Sequence, residues 1–351
     1  MPLLARTVSA PVAVHISDGA VNQLEPLLAD GRISAGGDVA IAVGAGQGQQ
    51  LAEQLRATMP RAKTFQLSSG SVEGAHDLIA QLRGPYFDAL VGIGGGNTLD
   101  VAKYAASMVG LPFVAVATNL SNDGLASPVA SLEANGRKGS FGVHIPIAVI
   151  VDLSLVRQSP ARHTRSGIGD VISNLCAIAD WFLAAQERGE AVDGLAVAFA
   201  RNAAEALLYR TEALDTDEFL TTLAEGLFLS GVAMSVAGSS RPCSGGCHEI
   251  GHAIDALYPE AGLHGEVVAL GAMFASYLRG DRLLPAMDEC FRRYGVARLP
   301  ADLGLTSEQF ADAVAHAPAT RPDRYTILEH LDLDRAAINT RVGDFVEAFT
   351  G

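Results

Sequence analysis

The first 150 residues alternate short, continuous apolar runs with stretches whose apolar positions recur at helical spacing. Residues 8–29 predict a short strand followed by an amphipathic helix, Asp18-Gly-Ala-Val-Asn-Gln-Leu-Glu-Pro-Leu-Leu. Strands are then predicted at Asp38–Val43, Lys63–Leu67, Asp88–Ile93, Pro112–Ala117 and Ile147–Asp152, with helices at Gln49–Thr58, Ser71–Leu82 and Val101–Met108. Strand and helix in strict alternation predict a doubly wound parallel sheet. Val129-Ala-Ser-Leu and the turn Asn135-Gly-Arg-Lys-Gly139 add a hairpin. After Ser154 the strand runs cease. Helical spacing takes over at roughly 170–187, 192–209, 217–236, 246–257, 265–278, 281–293, 307–316 and 334–349. The expected organisation is an α/β domain over residues 1–159 and an all-helical domain over 160–351, facing each other across a cleft.

Length and composition agree with two cores. At 351 residues, 49% hydrophobic and 18% charged, the chain can bury two sizeable interiors. A net charge of −14 without a basic run argues against nucleic acid and anionic membrane as partners, so the expected partner is a small molecule. The segment Met1-Pro-Leu-Leu-Ala-Arg-Thr lacks the pattern of a secretion signal, and no run of about 18 apolar residues suggests a membrane span. A cytoplasmic protein is expected. The four cysteines, Cys176, Cys243, Cys247 and Cys290, are read as reduced thiols. Cys243 and Cys247 are taken as buried small residues, because no second Cys pair accompanies them.

The stretch Gly92-Ile-Gly-Gly-Gly-Asn-Thr-Leu-Asp100 joins a predicted buried strand to a predicted helix. Free N–H groups at such a helix start, with no Cβ in the way, make a cradle for phosphate. The earlier turn, Gly44-Ala-Gly-Gln-Gly48, lacks the six-residue dinucleotide fingerprint, so the second turn is expected to do most of the holding. A polar loop, Thr118–Pro128, leaves the carboxyl edge of the sheet, where ligands of such folds bind.

Candidate metal ligands lie in the helical half. Ser166-Gly-Ile-Gly-Asp170 is read as opening a helix with Val171, Leu175, Ile178 and Phe182 as its buried stripe, which places Asp170 near the helix start. His248-Glu249-Ile-Gly-His252 fits the His-Glu-x-x-His pattern, so a zinc protease has to be weighed. A nucleotide-binding half is superfluous for such a protease. Leu263-His-Gly-Glu266 supplies a third piece.

Taken together, Gly94–Asp100, the Thr118–Pro128 loop, Ser166–Asp170, Gly169-Asp-Val-Ile-Ser-Asn174 with Asp180-Trp, Ser239-Ser-Arg-Pro-Cys-Ser-Gly245 with His248, and His264-Gly-Glu resemble the metal-dependent, iron-containing alcohol dehydrogenase superfamily, with most likeness to sn-glycerol-1-phosphate dehydrogenases. The resemblance implies a dehydroquinate synthase-like fold with a nucleotide-binding α/β half and a metal-binding helical half. It implies Asp170, His248 and His264 as metal ligands. Gly94, Gly95, Gly96, Asn97, Asp100, Thr118, Ser121 and Leu125 would line NAD or NADP, and Asp123 would face the substrate. His252 is the candidate for orienting the substrate or passing a proton. Arg137, Lys138 and Arg241 are the candidates for a substrate anion. Zinc suits the donor set, as do iron, nickel and manganese. No acidic residue directly follows the Asp38–Val43 strand to reject a 2′-phosphate, and likeness implies a homo-oligomer.

Two departures bear on the substrate. Asn97 stands where those dehydrogenases usually carry Lys or Arg, and Asn122 where they usually carry His. The expected reaction is interconversion of a small ketone and a secondary alcohol, foremost dihydroxyacetone phosphate and sn-glycerol 1-phosphate. A glycerol, polyol or alcohol dehydrogenase is the nearest alternative. A dehydroquinate synthase-like cyclase, against which Asp170 argues, and a non-catalytic nucleotide-binding relative stand further off.

Overall fold

A computed structural model of the chain describes residues 8–134 and 136–350. The segment Met1–Thr7 and the hairpin residue Asn135, both used in the sequence reading, lie outside the described residues. The chain divides into two compact units. One runs to Asn119 and resumes over Gly124–Ser159 and Met234–Gly238; the other holds Leu120–Asp123, Pro160–Ala233 and the chain from Ser239 onward.

The first unit is built on six strands: β1 (Ala13–Ser17), β2 (Val39–Val43), β3 (Ala62–Gln66), β4 (Ala89–Gly94), β5 (Phe113–Ala117) and, after the hairpin β6 (Val129–Ala134) and β7 (Arg137–Gly142), β8 (Ala148–Asp152). Their order in the sheet is β1-β8-β5-β4-β2-β3, with every pairing parallel. Strands β2, β4, β5 and β8 are buried at every position, which is why their sequences are continuous in apolar residues rather than alternating. Short helices α1 (Leu24–Leu28), α2 (Gln47–Leu55), α3 (Val72–Leu82), α4 (Gly96–Val109) and α5 (Leu153–Val156) complete this unit.

The order of strands decides where a ligand sits. From β2 the chain crosses through α2 to β3 on one side, and from β4 it crosses through α4 to β5 on the other. The neighbours β2 and β4 therefore flank the switch point, so the turn after β2 and the glycine turn after β4 stand side by side. Thr98 fits between them: a Cβ on Gly44 would overlap its Oγ1, and one on Gly94 would lie 2.7 Å from it. The first turn is thus part of the same crevice, although its spacing breaks the fingerprint.

The second unit is helical: α6 (Ala161–Ile172), α7 (Asn174–Arg188), α8 (Gly194–Leu208), α9 (Asp217–Ala237), α10 (Gly246–Leu257), α11 (His264–Arg279), α12 (Leu284–Tyr294), α13 (Ser307–Thr320), α14 (Ile327–Leu331) and α15 (Arg335–Phe349), with the end of α9 belonging to the first unit. Three expectations need correction here. Helix α6 begins at Ala161, so Asp170 lies in its last turn, not near a helix start; Pro160 sets the entry and Ser173 ends it. Phe182 is 47% exposed and lies off the buried stripe that holds Val171, Leu175 and Ile178. Finally, Ala161–Arg188 and Asp217–Ala237 are long and apolar enough to cross a membrane. Most of the apolar stretch in each, 72%, is buried inside the protein, as expected of core helices.

Candidate metal centre and nucleotide cradle

The cradle is a property of the sheet unit. Helix α4 starts at Gly96 with Gly95 as N-cap, and no side chain caps its free N–H groups. A Cβ on Gly95 would meet the Asn119 amide, a side-chain end. Asn97 is exposed beside it. The helix is held at this height by Lys103, a fully buried cation. Its Nζ lies 3.3 Å from Asp100 Oδ1 and donates to the carbonyls of Gly124 at 2.6 Å and Ser127 at 3.1 Å. Asp100 is therefore turned inward to a lysine that ties the Thr118–Pro128 loop to α4. Thr118 and Leu125, which the resemblance put at the cofactor, are both buried in this loop. Lys103, Thr98 and Asn119 were not singled out from the sequence. Lys103 sat three residues beyond Asp100 on a predicted helix, and that spacing was the available signal.

The metal centre is a property of the helical unit and is assembled by backbone contact. A Cβ on Gly169 of α6 would overlap the Gly265 carbonyl of α11, and one on Gly265 would overlap the Ser166 carbonyl. These two glycines let the last turn of α6 and the first turn of α11 touch main chain to main chain, which carries Asp170 to His264. Ser166 fastens the contact, accepting from Gly265 N at 3.1 Å and donating to the Ser121 carbonyl at 2.8 Å. Glu266 fixes the start of α11 by accepting from Leu263 N at 2.8 Å and pairing with Arg162 at 2.7 Å. Helix α10, which brings His248, is anchored at its start by the buried Asp180, which accepts from Gly246 N at 2.7 Å.

Within this frame one ligand atom from each of Asp170, His248 and His264 lies within 4.8 Å of the others. Both imidazole Nε2 atoms stand 3.7 Å from Asp170 Oδ1, and the two rings are 5.2 Å apart at their centroids. The donors are presented, not merely near. The Asp123 N–H donates to Asp170 Oδ2 at 2.9 Å, leaving Oδ1 toward the histidines. On His248, Nδ1 is engaged by the Cys247 thiol at 3.4 Å, leaving Nε2 toward Asp170. Burial, with the neighbouring His264, His252, Arg321 and Arg324, holds His248 well below its usual pKa and hence neutral. Burial raises the Asp170 carboxyl, while His264 and the Asp123 N–H work against that rise. A carboxylate in the last turn of a helix also opposes the helix dipole. A divalent cation would relieve both costs, and one carboxylate with two imidazoles is a donor set that fits it.

The arrangement does not suit a zinc protease. His252 Nε2 accepts from Arg321 Nη2 at 3.1 Å, so the second histidine of the pattern offers no free ligand atom there. Glu249 faces away, its Oε2 accepting from Thr326 Oγ1 at 2.9 Å. Burial, then the nearby Glu329, pushes its pKa up to about 9.

The residues expected at a substrate anion are scattered. Arg241 is buried, and its guanidinium donates to both carboxylate oxygens of Glu190 and to the Tyr325 carbonyl at 3.1 Å. A guanidinium already neutralised by a carboxylate has little to offer an anion. Lys138 is exposed on β7, opposite Glu133 in the hairpin ladder, and Arg137 opens that strand. All four cysteines are buried and free, as expected of small core residues.

Comparison with known proteins identifies the family. Residues 15–160 match the family model of iron-containing alcohol dehydrogenase. A glycerol-1-phosphate dehydrogenase [NAD(P)+] of Sulfurisphaera tokodaii is 37% identical over 268 residues, 76% of each chain. One of Hyperthermus butylicus is 34% identical over 92% of this chain and 93% of its own. Among solved structures, a probable glycerol dehydrogenase from Sinorhizobium meliloti shares the fold with a TM-score of 0.77 at 21% identity, covering 99% of both chains. With an uncapped helix start after a glycine turn in its sheet unit and an Asp-His-His cluster in its helical unit, the chain belongs to the iron-containing alcohol dehydrogenase family, as an NAD(P)-dependent, metal-dependent oxidoreductase of a small-molecule substrate.

Proposed function

We propose that the protein is a zinc-dependent dehydrogenase that interconverts sn-glycerol 1-phosphate and dihydroxyacetone phosphate with NAD or NADP. The observation that carries this reading is the 37% identity, over three quarters of both chains, to a protein named for that activity. When bound by Asp170, His248 and His264, zinc supplies Lewis acidity for a substrate oxygen, and the nicotinamide exchanges the hydride.

The chain's own contribution is orientation and charge. Asp123 works through its main chain on Asp170, and we assign its side chain to a substrate hydroxyl. His252 accepts a hydrogen bond from a guanidinium at Nε2, which requires that nitrogen to be unprotonated; it orients and does not donate a proton from that atom. The uncapped start of α4 offers N–H groups to the cofactor pyrophosphate. The test is absorbance at the nicotinamide band with zinc-loaded protein, offering dihydroxyacetone phosphate, dihydroxyacetone, glycerol and glycerol 1-phosphate. Preference for the phosphorylated pair supports the reading. Preference for the uncharged pair would make the protein a polyol dehydrogenase.

A further inference from the structure

Two arginines that the sequence reading passed over stand beside the metal cluster. Arg321 ends α13 and Arg324 lies in the segment that follows it. Arg321 Nη1 and Arg324 Nη2 each donate to Ser240 Oγ at 3.1 Å, so the two guanidiniums converge on one oxygen. Their other acceptors are neutral: His252 Nε2 for Arg321 and the Ser244 carbonyl for Arg324. Neither arginine has a carboxylate within ion-pair distance among the described residues. Arg241, close enough to lower Arg324, is already matched by Glu190. Two adjacent, half-buried cations with no carboxylate in ion-pair contact repel each other, an arrangement that a dianion would stabilise.

The position is as telling as the charge. The His252 ring, to which Arg321 is bonded, lies 6.2 Å from each of the His248 and His264 rings. Ser240 can still donate its own hydroxyl proton while accepting from both arginines. Nearby, the Ser244 hydroxyl is buried and has no hydrogen-bond partner among the described residues. Guanidinium forks with a hydroxyl between them are the donor geometry that a phosphate monoester takes.

We propose that Arg321 and Arg324, bridged by Ser240, form the subsite for the phosphate of the substrate and so set the preference for a phosphorylated over an uncharged ketone. This rests on the glycerol-1-phosphate reading and supplies it with the cationic residues that Arg241 does not provide.

The test uses the zinc-loaded enzyme and its R321A and R324A variants, with R321K and R324K as milder changes should the alanine variants fold poorly. Each alanine variant is expected to raise KM for dihydroxyacetone phosphate at least about tenfold and to weaken competitive inhibition by inorganic phosphate to a similar degree; R324A, which does not touch His252, should leave dihydroxyacetone kinetics within about twofold. Lysine variants should fall between. A parent enzyme that prefers the phosphorylated ketone while the variants keep its KM would overturn the subsite and leave the functional reading intact. Equal loss on both ketones would assign Arg321 to holding His252 and also overturn it. A rise in the KM for NADP alone would move the phosphate to the cofactor, against the proposal. A parent indifferent to the phosphate would defeat the functional reading itself.

Discussion

In the sheet unit the cradle is one unbroken stretch, Gly92–Asp100, whereas in the helical unit the three donors come from three different helices, α6, α10 and α11. The first needs a strand, a turn and a helix in sequence order, all dictated by local residue types. The second exists only because Gly169 and Gly265 let two helices meet main chain to main chain, while Asp180 and Glu266 fix the helix starts. A site written in one segment should therefore fail locally, and a site written in packing should fail with the packing. That contrast can be broken by experiment.

The largest effect is expected from H248A or H264A. Each leaves two donors, so bound zinc and redox activity should be lost, with kcat/KM falling by several orders of magnitude. Dinucleotide affinity, measured by calorimetry, should stay within about twofold because the cradle belongs to the other unit. Loss of both functions together would show that the two sites are not separable.

Next comes Gly265→Ala. Its added methyl meets the Ser166 carbonyl, and neither main chain can turn aside as a side-chain end would. Helices α6 and α11 must separate, at a cost of about 2–4 kcal/mol, somewhat beyond ordinary overpacking. Metal affinity should fall although no ligand has been touched. Gly95→Val is the matched change in the sheet unit: it meets the Asn119 amide, a side chain that can move, so dinucleotide binding should weaken while the melting temperature changes little. If the helical glycine variant binds zinc as tightly as the parent, backbone contact is not what builds the centre.

Lys103→Met would remove the cation from a buried pair and leave Asp100 and two carbonyls of the loop without it. A loss of about 3–5 kcal/mol in unfolding free energy is expected, read by denaturant titration. It probes a place where the sheet unit also depends on long-range packing.

A further effect is one of pH. Glu249 has its folded pKa raised to about 9 by burial, above an unfolded value of 4.5. Between those values the folded state holds a proton that the unfolded chain has released, so stability falls as pH rises. Glu249→Gln should remove that slope, making the variant more stable than the parent at pH 8 by a margin on the order of 3 kcal/mol that shrinks toward pH 5. Matching pH profiles in parent and variant would mean that Glu249 is ionised in the fold.

The same contrast explains what the sequence could reveal. Continuous apolar runs such as Val39–Val43 and Ala148–Asp152 announced a parallel sheet, because a strand covered on both faces has no polar positions. Helical spacing found α8 through α13 and α15. It missed the start of α6, where Ala161-Arg-His-Thr-Arg carries little apolar signal, and so misplaced Asp170 on its helix. Asp170, His248 and His264 were nameable from family likeness, but nothing in their spacing foretold that Gly169 and Gly265 bring them together. His-Glu-x-x-His misled for the same reason: its meaning depends on what faces His252 and Glu249, and those partners, Arg321 and Thr326, lie far along the chain. Arg241 was legible as a basic residue and illegible as an ion pair, because Glu190 is distant in sequence.

The central claim is that Asp170, His248 and His264 hold one divalent ion. An anomalous difference map from crystals of the zinc-loaded protein, collected at the zinc edge, tests it most directly. The account predicts one peak at about 2.0–2.2 Å from Asp170 Oδ1, His248 Nε2 and His264 Nε2. A peak shared by His248 and His252, with Glu249 turned beside it, would contradict the account and restore the protease reading.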